Sequence, residues 1–276
     1  MPAARERILG CLANLECEED VRILFACESG SRAWGFPSED SDYDVRFLYV
    51  HPRDWYLSID LERRRDVIER PIVEDLDLCG WDLRKGLPLL RKSNPPLLEW
   101  LASPIVYLDR EDLTGRLRVA ASAFYSPAAC AFHYLHMARG NVREYLGGEQ
   151  VWIKKYFYVL RPLLAIRWIE SRDEPVPVEF TALLDGADLD AAVRRRIDTL
   201  LADKRAGNEL DRGPKIPEIG DFIERELARL EQLRIERRRP ECDLAGLDDL
   251  FRAFLTSPHP GAPPRPTGVG GHDHSA

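Results

Sequence analysis

Apolar and polar residues follow two different rhythms along the chain, and the change between them falls near residue 110. Before it, short apolar runs rich in β-branched and aromatic residues predict four strands, at residues 21–27, 43–50, 72–79 and 105–108. We expect Gly80 to end the third strand, and the fourth to be an edge strand. Apolar residues at helical spacing over residues 4–16 predict a helix ahead of the first strand.

After residue 110 the strand pattern almost vanishes, and apolar residues recur at helical spacing instead. These stripes predict long helices at residues 111–123, 128–146, 150–170, 188–204 and 217–238. Strands followed by helices are typical of an α+β protein or of two domains. We therefore predict a boundary near residue 110 and a helical domain over residues 111–256. Residues 257–276 are rich in proline and glycine with little to bury, so we expect a disordered tail.

The composition of the chain narrows the classes of protein to which it can belong. Of its 276 residues, 45% are apolar and 31% are charged, as in an ordinary globular protein. The formal net charge of −8 disfavours non-specific binding to a nucleic-acid backbone, although it leaves room for a local basic patch. The six cysteines form no Cys-x-x-Cys pair, and no apolar run reaches the roughly 18 residues of a membrane span. Charges interrupt the first residues, unlike a signal peptide. We expect a cytoplasmic protein with no membrane partner.

The connection between the first two strands, ESGSRAWGFPSEDSDYD at residues 28–44, is far more acidic than a turn requires. Asp42 and Asp44 stand at the entry of the second strand, where alternation points both side chains to one face. Two carboxylates on one face repel each other, and a Mg²⁺ ion bound between them relieves that repulsion. The alternative is a pair of solvated turn residues, which Asp-x-Asp alone would favour. The other carboxylates of the stretch, Glu28, Glu39 and Asp40, are expected to be solvated.

The Gly-Ser pair of the same connection is a candidate phosphate site. Gly30 and Ser31 end the first strand and open SRAWG, which could form a short helical turn. Glycine lets a backbone approach a phosphate closely, and free N–H groups with the serine hydroxyl can hold an anion. The alternative is a strand-ending glycine followed by a capping serine. A phosphate-holding turn followed by a metal-holding Asp-x-Asp is more specific than either half alone.

A third carboxylate would complete such a metal site, and VEDLDLCGWD at residues 73–82 offers three. Asp77 is our choice, because an acidic residue in the middle of an apolar strand is costly unless it is paired or binds a metal. Asp75 lies on the same face and is the fallback. Asp82 is better placed to cap the helix that follows.

These motifs resemble a known family. Gly30-Ser31 followed by Asp42-Tyr43-Asp44 looks like the signature of the DNA polymerase β-like nucleotidyltransferase superfamily. Four longer strings are similar to a narrower group, the bacterial predicted nucleotidyltransferases of the RNA repair pathway DNA polymerase β family: GSRAWGFPSEDSDYDVRFLYV, LDLCGWDLRKGL, NPPLLEWLASPIVY and IKKYFYVLRPLLAIRWI. The resemblance covers roughly residues 5–250. It implies an α+β fold, in which a mixed sheet with helices on one face is followed by an all-helical C-terminal domain.

The resemblance also implies an activity, with residues 1–110 as the catalytic domain. An active nucleotidyltransferase of this kind moves a nucleoside monophosphate from a nucleoside triphosphate such as ATP, with two Mg²⁺ ions that Mn²⁺ could replace. Asp42 and Asp44 match the family's metal-binding pair and would bridge the ions. Asp77, as the third ligand, would bind the metal nearest the nucleophile. Gly30 and Ser31 would hold the β- and γ-phosphates.

The helical half offers cations and an aromatic ring that could complete a nucleotide site. In VWIKKYFYVLRPLLAIRW, helical spacing places Lys154, Tyr158 and Arg161 on one face, with Lys155 beside them. A lysine and a ring facing a cleft would suit a triphosphate and a base. The alternative is an ordinary amphipathic surface helix.

Nearer the Asp-x-Asp pair, Arg32 or Arg46 could add positive charge for a nucleotide, although for each a solvated side chain is the simpler interpretation. A further cationic run, Arg63-Arg64-Arg65, lies in the polar stretch before the third strand.

The acceptor of the nucleotide is left open by the residues. An RNA end, a protein hydroxyl and a small molecule all fit the motifs, and RNA comes first because the resemblance implies RNA repair or end modification. One alternative is a nucleotidyltransferase-type regulatory or antitoxin module that modifies or binds a partner protein. Another is a nucleotide-binding protein without turnover. The sequence does not decide the nucleotide base, the pathway or the oligomeric state.

Overall fold

A five-stranded mixed sheet forms the first part of the fold. Its strands are β1 (Arg22–Glu28), β2 (Tyr43–Val50), β3 (Val67–Glu69), β4 (Leu76–Asp82) and β5 (Val106–Asp109). They lie in the order β3-β4-β2-β1-β5, so β5 is an edge strand as predicted. Strands β2 and β4 are parallel, and the other neighbours are antiparallel. This computed structural model describes residues 2–172, 174–208, 210–232, 234–235 and 244–256. The predicted tail, residues 257–276, and part of the predicted helix at 217–238 lie outside the described residues.

The third predicted strand differs from the strand that forms. Strand β4 begins at Leu76, four residues later than expected for the run at 72–79, and continues through Gly80 to Asp82. Gly80 does not break the strand, because its missing side chain makes room for the ring of Phe47 on the neighbouring strand. A Cβ atom at Gly80 would lie 2.0 Å from that ring. Strand β3, only three residues long, was not predicted and pairs antiparallel with β4.

Helices cover both faces of the sheet, whereas the sequence resemblance implied one covered face. The helices are α1 (Pro2–Glu19), α2 (Gly30–Ala33), α3 (Arg53–Tyr56), α4 (Leu83–Arg91), α5 (Pro95–Leu101), α6 (Leu113–Phe124), α7 (Pro127–Tyr145), α8 (Tyr156–Ser171), α9 (Phe180–Gly186), α10 (Ala191–Arg205), α11 (Pro217–Arg229) and α12 (Ala245–Thr256). Helix α1 packs its apolar stripe against one face of the sheet. Helices α4, α5, α6 and α12 pack against the other face.

Helix α12 joins distant parts of the chain, because its buried residues belong to the core of the sheet. The ring of Phe254 is fully buried there, and the backbone oxygen of Phe254 accepts a hydrogen bond from Arg22 of β1 at 2.5 Å. The predicted domain boundary near residue 110 stays a prediction. Helices α6 and α12 follow residue 110 in sequence, yet both pack on the sheet. Among the described helices, none combines the length and apolar character needed to cross a membrane.

A second apolar core gathers around α8 and contains α7, α9, α10 and α11. The predicted helix at 150–170 begins only at Tyr156. Residues Gln150–Trp152 instead form strand β6, which pairs with β7 (Arg212–Pro214), and a 3-10 turn over Ile153–Lys155 follows. The connection between β1 and β2 reaches this core, because Phe36 is buried in it with its ring 4.7 Å from that of Phe157. The acidic connection therefore lies between the sheet and the helices.

Candidate active site

Gly30 and Asp44 are in direct contact at the start of the acidic connection. Gly30 has a φ of +55°, and a Cβ atom there would lie 1.9 Å from Oδ2 of Asp44. A larger residue is therefore excluded both by the backbone conformation and by the carboxylate. Gly30, Ser31 and Arg32 open the short helix α2, so their N–H groups have no acceptor within the helix. The predicted phosphate-holding turn thus lies directly beside one predicted metal ligand.

The structure also brings Asp77 to Asp44. The two residues are register partners on the neighbouring parallel strands β2 and β4, and each side chain is 26% exposed. Asp42 precedes β2 and is exposed. Burial raises the pKa of Asp44, and the nearby charges of Asp77 and Asp42 raise it further. Asp44 and Asp77 therefore lie side by side at this end of the sheet, with Asp42 near enough for its charge to act on Asp44. The role of the three as metal ligands stays a prediction.

The two other candidates for the third carboxylate have different surroundings. Asp75 precedes β4 and pairs with Arg7 of α1 at 2.5 Å, which lowers the pKa of Asp75. Asp82 caps α4, since its carboxylate accepts the N–H of Arg84 at 2.7 Å, as predicted for a capping residue. Of the three acidic residues around β4, only Asp77 is a register partner of Asp44.

Arg46 lies between the two paired carboxylates. Its Nη2 atom donates to Oδ1 of Asp44 at 3.0 Å and to Oδ2 of Asp77 at 2.8 Å. The side chain is 17% exposed, so it is not the solvated arginine that the sequence suggested. Alternation along β2 explains its position, because residues 44 and 46 share a face of the sheet. Arg46 balances part of the negative charge that the carboxylates bring together.

Arg32 stabilises the connection between β1 and β2. Its Nε and Nη2 atoms donate to the backbone oxygens of Asp42 and Ser41 at 3.1 and 2.6 Å. Its guanidinium carbon lies 3.9 Å from the ring centroid of Tyr43. These bonds hold the loop against the start of β2, so Arg32 fixes the backbone beside Asp42. Its predicted contact with a nucleotide stays a prediction.

Glu28 is a residue of this site that the sequence analysis placed in solvent. It ends β1 and is fully buried. Its Oε1 atom accepts the N–H of Asp44 at 2.8 Å, and its Oε2 atom accepts a hydrogen bond from the hydroxyl of Tyr107. Burial raises the pKa of Glu28, while these two hydrogen bonds oppose the rise. An acidic residue ending an apolar strand was the available signal. Glu28 fixes the backbone that presents Asp44.

The helical half supplies cations and rings opposite the carboxylates. The Nζ atom of Lys155 lies 4.2 Å from the ring centroid of Tyr158, whose ring packs edge-on against Trp34 at 5.4 Å. Burial lowers the pKa of Lys155, and the charge of Asp44 opposes this effect. Burial raises the pKa of Tyr158 to about 12, with a further contribution from Asp44. Lys155 and Tyr158 therefore lie close enough to Asp44 for its charge to act on both, and their contact with a nucleotide stays a prediction.

The predicted helical face of Lys154, Tyr158 and Arg161 does not form, because Lys154 precedes the helix. Its ammonium lies 5.7 Å from the ring centroid of Trp152. Arg161 is 2% exposed and pairs with Glu99 of α5, which makes it part of the core. Lys204 of α10 was not predicted. It donates to the hydroxyl of Ser38 at 2.9 Å, and burial lowers its pKa while the charges of Asp42 and Asp40 oppose this effect.

Whether Asp44 and Asp77 can bind Mg²⁺ depends on their oxygen atoms and on Arg46, which pairs with both. Carboxylate oxygens are the ligands that Mg²⁺ prefers, and Asp44 and Asp77 are neighbours on the parallel strands β2 and β4. Among the described residues, however, no three His, Cys, Asp or Glu side chains are arranged as a finished metal site. The guanidinium of Arg46 holds Asp44 and Asp77 on its own donors. The oxygen donors are of the type that suits a divalent cation, but Arg46 occupies both carboxylates in this structure, so the binding of Mg²⁺ stays a prediction.

Comparisons with known proteins relate the chain to one protein family. Residues 4–253 match the protein family described as the RNA repair pathway DNA polymerase beta family. The chain is 48% identical over 253 residues to the uncharacterized protein YcgL of Bacillus subtilis (strain 168), covering 92% of this chain and 96% of that protein. The crystal structure of a nucleotidyltransferase-like protein from Exiguobacterium sibiricum 255-15 has 11% sequence identity and a TM-score of 0.31, over 91% of this chain and 79% of that one. The chain belongs to the RNA repair pathway DNA polymerase beta family, a family of nucleotidyltransferase type.

Proposed function

We propose that the protein is a Mg²⁺-dependent nucleotidyltransferase that moves a nucleoside monophosphate from a nucleoside triphosphate to a hydroxyl at an RNA end and releases pyrophosphate. One observation carries the proposal: Asp44 lies against the backbone of Gly30 and opposite Asp77, so a phosphate-holding turn and a carboxylate pair share one site. Family membership supports nucleotidyl transfer, and the description of the family supports an RNA acceptor.

The residues of the chain divide the work of such a reaction. Asp42, Asp44 and Asp77 would hold Mg²⁺, which would supply positive charge to the oxygens of the transferred phosphate. The N–H groups of Gly30 and Ser31 would bind the other phosphates, as backbone N–H groups at a glycine turn can.

Lys155 and Lys204 would neutralise the remaining charge of the triphosphate, because both lie on the helical side of the cleft near the carboxylates. Tyr158 and Trp34 form a wall of rings on that side, which suits the base. Glu28 positions Asp44 through its backbone N–H. Most of the acceleration would then come from placing the reacting groups in line and from fixed charges around the phosphate.

Transfer of label from α-³²P nucleoside triphosphates to a panel of intact and broken RNAs tests this proposal. We expect label on RNA with Mg²⁺ or Mn²⁺ and none after chelation. A variant carrying Asp42→Ala and Asp44→Ala should lose transfer and remain folded. Asp40→Ala is the matched control, since Asp40 is an exposed carboxylate of the same loop.

Two results would contradict the proposal. Transfer by the double variant at the native rate would show that Asp42 and Asp44 are not needed for the reaction. Absence of transfer to every RNA, together with a protein partner that co-purifies in stoichiometric amount, would favour the regulatory or antitoxin module instead.

A further inference from the structure

A cavity of about 380 Å³ lies beside β3, and none of the residues that line it has a role in the proposed transfer. Tyr49 of β2 lines it, together with His51, Trp55, Arg64 and the residues of β3. Tyr49 is five residues beyond Asp44, which corresponds to about 17 Å along a strand. Their positions differ by five, an odd number, so their side chains point to opposite faces of the sheet. The cavity is therefore separate from the candidate active site.

The hydroxyl of Tyr49 indicates that this cavity takes a hydrogen-bonding ligand. The side chain is fully buried, and its hydroxyl has no hydrogen-bond partner within the described part of the chain. A buried hydroxyl without a partner destabilises the folded protein. Burial also raises the pKa of Tyr49, so the group stays a protonated donor. A ligand that accepts a hydrogen bond from Tyr49 would satisfy this donor.

The charges around the cavity favour an anionic ligand. Arg64, Arg65 and Arg70 line it with Glu19 and Glu69. Arg70 is already engaged with Glu19 at 2.8 Å. Over the described ranges of the chain, neither Arg64 nor Arg65 pairs with a carboxylate, and both are exposed at the rim. The guanidinium groups of Arg64 and Arg65 thus offer donors to an anion, although the carboxylate of Glu69 lines the same cavity.

A stack of planar groups forms one wall of the same cavity. The imidazole of His51 stacks on the indole of Trp55, with ring centroids 3.8 Å apart and an interplanar angle of 10°. The guanidinium carbon of Arg64 lies 4.9 Å from the ring centroid of Trp55. The paired N–H donors of an arginine guanidinium match the spacing of phosphate oxygens. Planar side chains offer a surface on which a base can stack. These neighbours favour a phosphate that carries a base over a simple carboxylate.

We propose that this cavity binds the phosphate group of a nucleotide, through Arg64, Arg65 and the hydroxyl of Tyr49. The nucleotide could be free or part of an RNA strand, since the two share this chemistry. The cavity follows β3 to Arg70, whose backbone N–H bonds to Leu78, the residue after Asp77.

The test measures binding of a fluorescein-labelled RNA pentamer to the full chain in chelator, by fluorescence anisotropy. We expect Arg65→Gln to weaken binding five- to tenfold, and Tyr49→Phe at least threefold. Because Tyr49→Phe removes only the orphan hydroxyl, its unfolding midpoint should equal or exceed that of the native chain. Arg63→Gln is the matched control, since Arg63 is 84% exposed, pairs with Asp60 and does not line the cavity.

Hydrogen exchange locates the bound probe, and competition identifies its source. We expect protection at residues 51–70. Displacement by AMP at similar concentrations would indicate a free nucleotide, and displacement only by unlabelled RNA would indicate a strand; either supports the site. Native affinity in both variants, protection confined to residues 28–46, or no binding to the native chain would overturn the proposal. None of these results bears on label transfer, which is tested with different residues.

Discussion

Replacing Gly30 with alanine should disable nucleotidyl transfer while leaving the protein folded. The added Cβ would lie 1.9 Å from Oδ2 of Asp44, whereas ordinary contact begins near 3.4 Å. The carboxylate must therefore shift by roughly 1.5 Å, and a shift of about 1 Å in a reacting group can cost on the order of 10²-fold in rate. We expect a loss of transfer of at least that size.

The substitution should also cost stability, but less than the roughly 5–15 kcal/mol that keeps a typical protein folded. A non-glycine residue at positive φ loses about 1–2 kcal/mol, and overpacking adds about 1–3 kcal/mol. Urea unfolding should therefore show a variant destabilised by about 2–5 kcal/mol, with initial rates of label transfer measured beside it.

Gly35→Ala separates the two effects. Gly35 also has a positive φ, of +85°, but the nearest atom to its added Cβ would be Cγ of Glu179 at 3.9 Å. This control carries the backbone strain without the clash. It should lose stability and keep transfer within a few-fold of native. Equal losses of transfer in Gly30→Ala and Gly35→Ala, or near-native transfer in Gly30→Ala, would refute the idea that Gly30 exists to seat Asp44.

Three further perturbations follow from the contacts described above. Gly80→Ala should destabilise the fold by about 1–3 kcal/mol in urea unfolding, because its Cβ would meet a buried ring; native stability would contradict the close packing. Burial raises the pKa of Asp82 to about 6, so the folded chain keeps a proton that the unfolded chain has released. Stability should therefore fall by up to about 3 kcal/mol as the pH rises from about 4 to 7, relative to Asp82→Asn, and a pH-independent difference would exclude this. Arg46→Met should strengthen Mn²⁺ binding about tenfold in calorimetry, since it frees Asp44 and Asp77 from a competing cation. Weaker binding would mean instead that Arg46 organises the ligands.

The strand–turn–strand that carries the candidate site could be predicted from sequence because its signals are local. Gly30 and Asp44 lie in one short stretch, and the two flanking strands were predicted within one residue of their ends. Asp77 was preferred to Asp75 because it lies nearer the middle of the apolar run, and it is the register partner of Asp44. The prediction that Gly80 ends the strand was wrong. Glycine is needed there because the ring of Phe47 occupies the space that a side chain would fill.

The rest of the site depends on contacts between residues that are distant in sequence. Glu28 looks like one more acidic loop residue until Tyr107, on a strand formed much later, supplies a hydrogen bond. Lys204 comes from α10, and no local pattern distinguishes it from other lysines on an amphipathic helix. Strand β6 replaces the start of a predicted helix because β7, far along the chain, provides its pairing partner. The spacing of apolar residues within one segment cannot reveal a pairing strand that is distant in sequence.

The position of α12 sets an order of events during synthesis. A ribosome releases the strands that carry Asp44 and Asp77 early, but the helix that completes their core spans Ala245–Thr256. Until that helix emerges, the part of this core that receives Phe254 remains open to solvent or to chaperones, although α4, α5 and α6 already cover the rest. Translation that stops before residue 245 would therefore yield a polypeptide with every proposed catalytic carboxylate and an incomplete support for them. The maturation of the site is thus timed by a segment that contributes no proposed ligand to it.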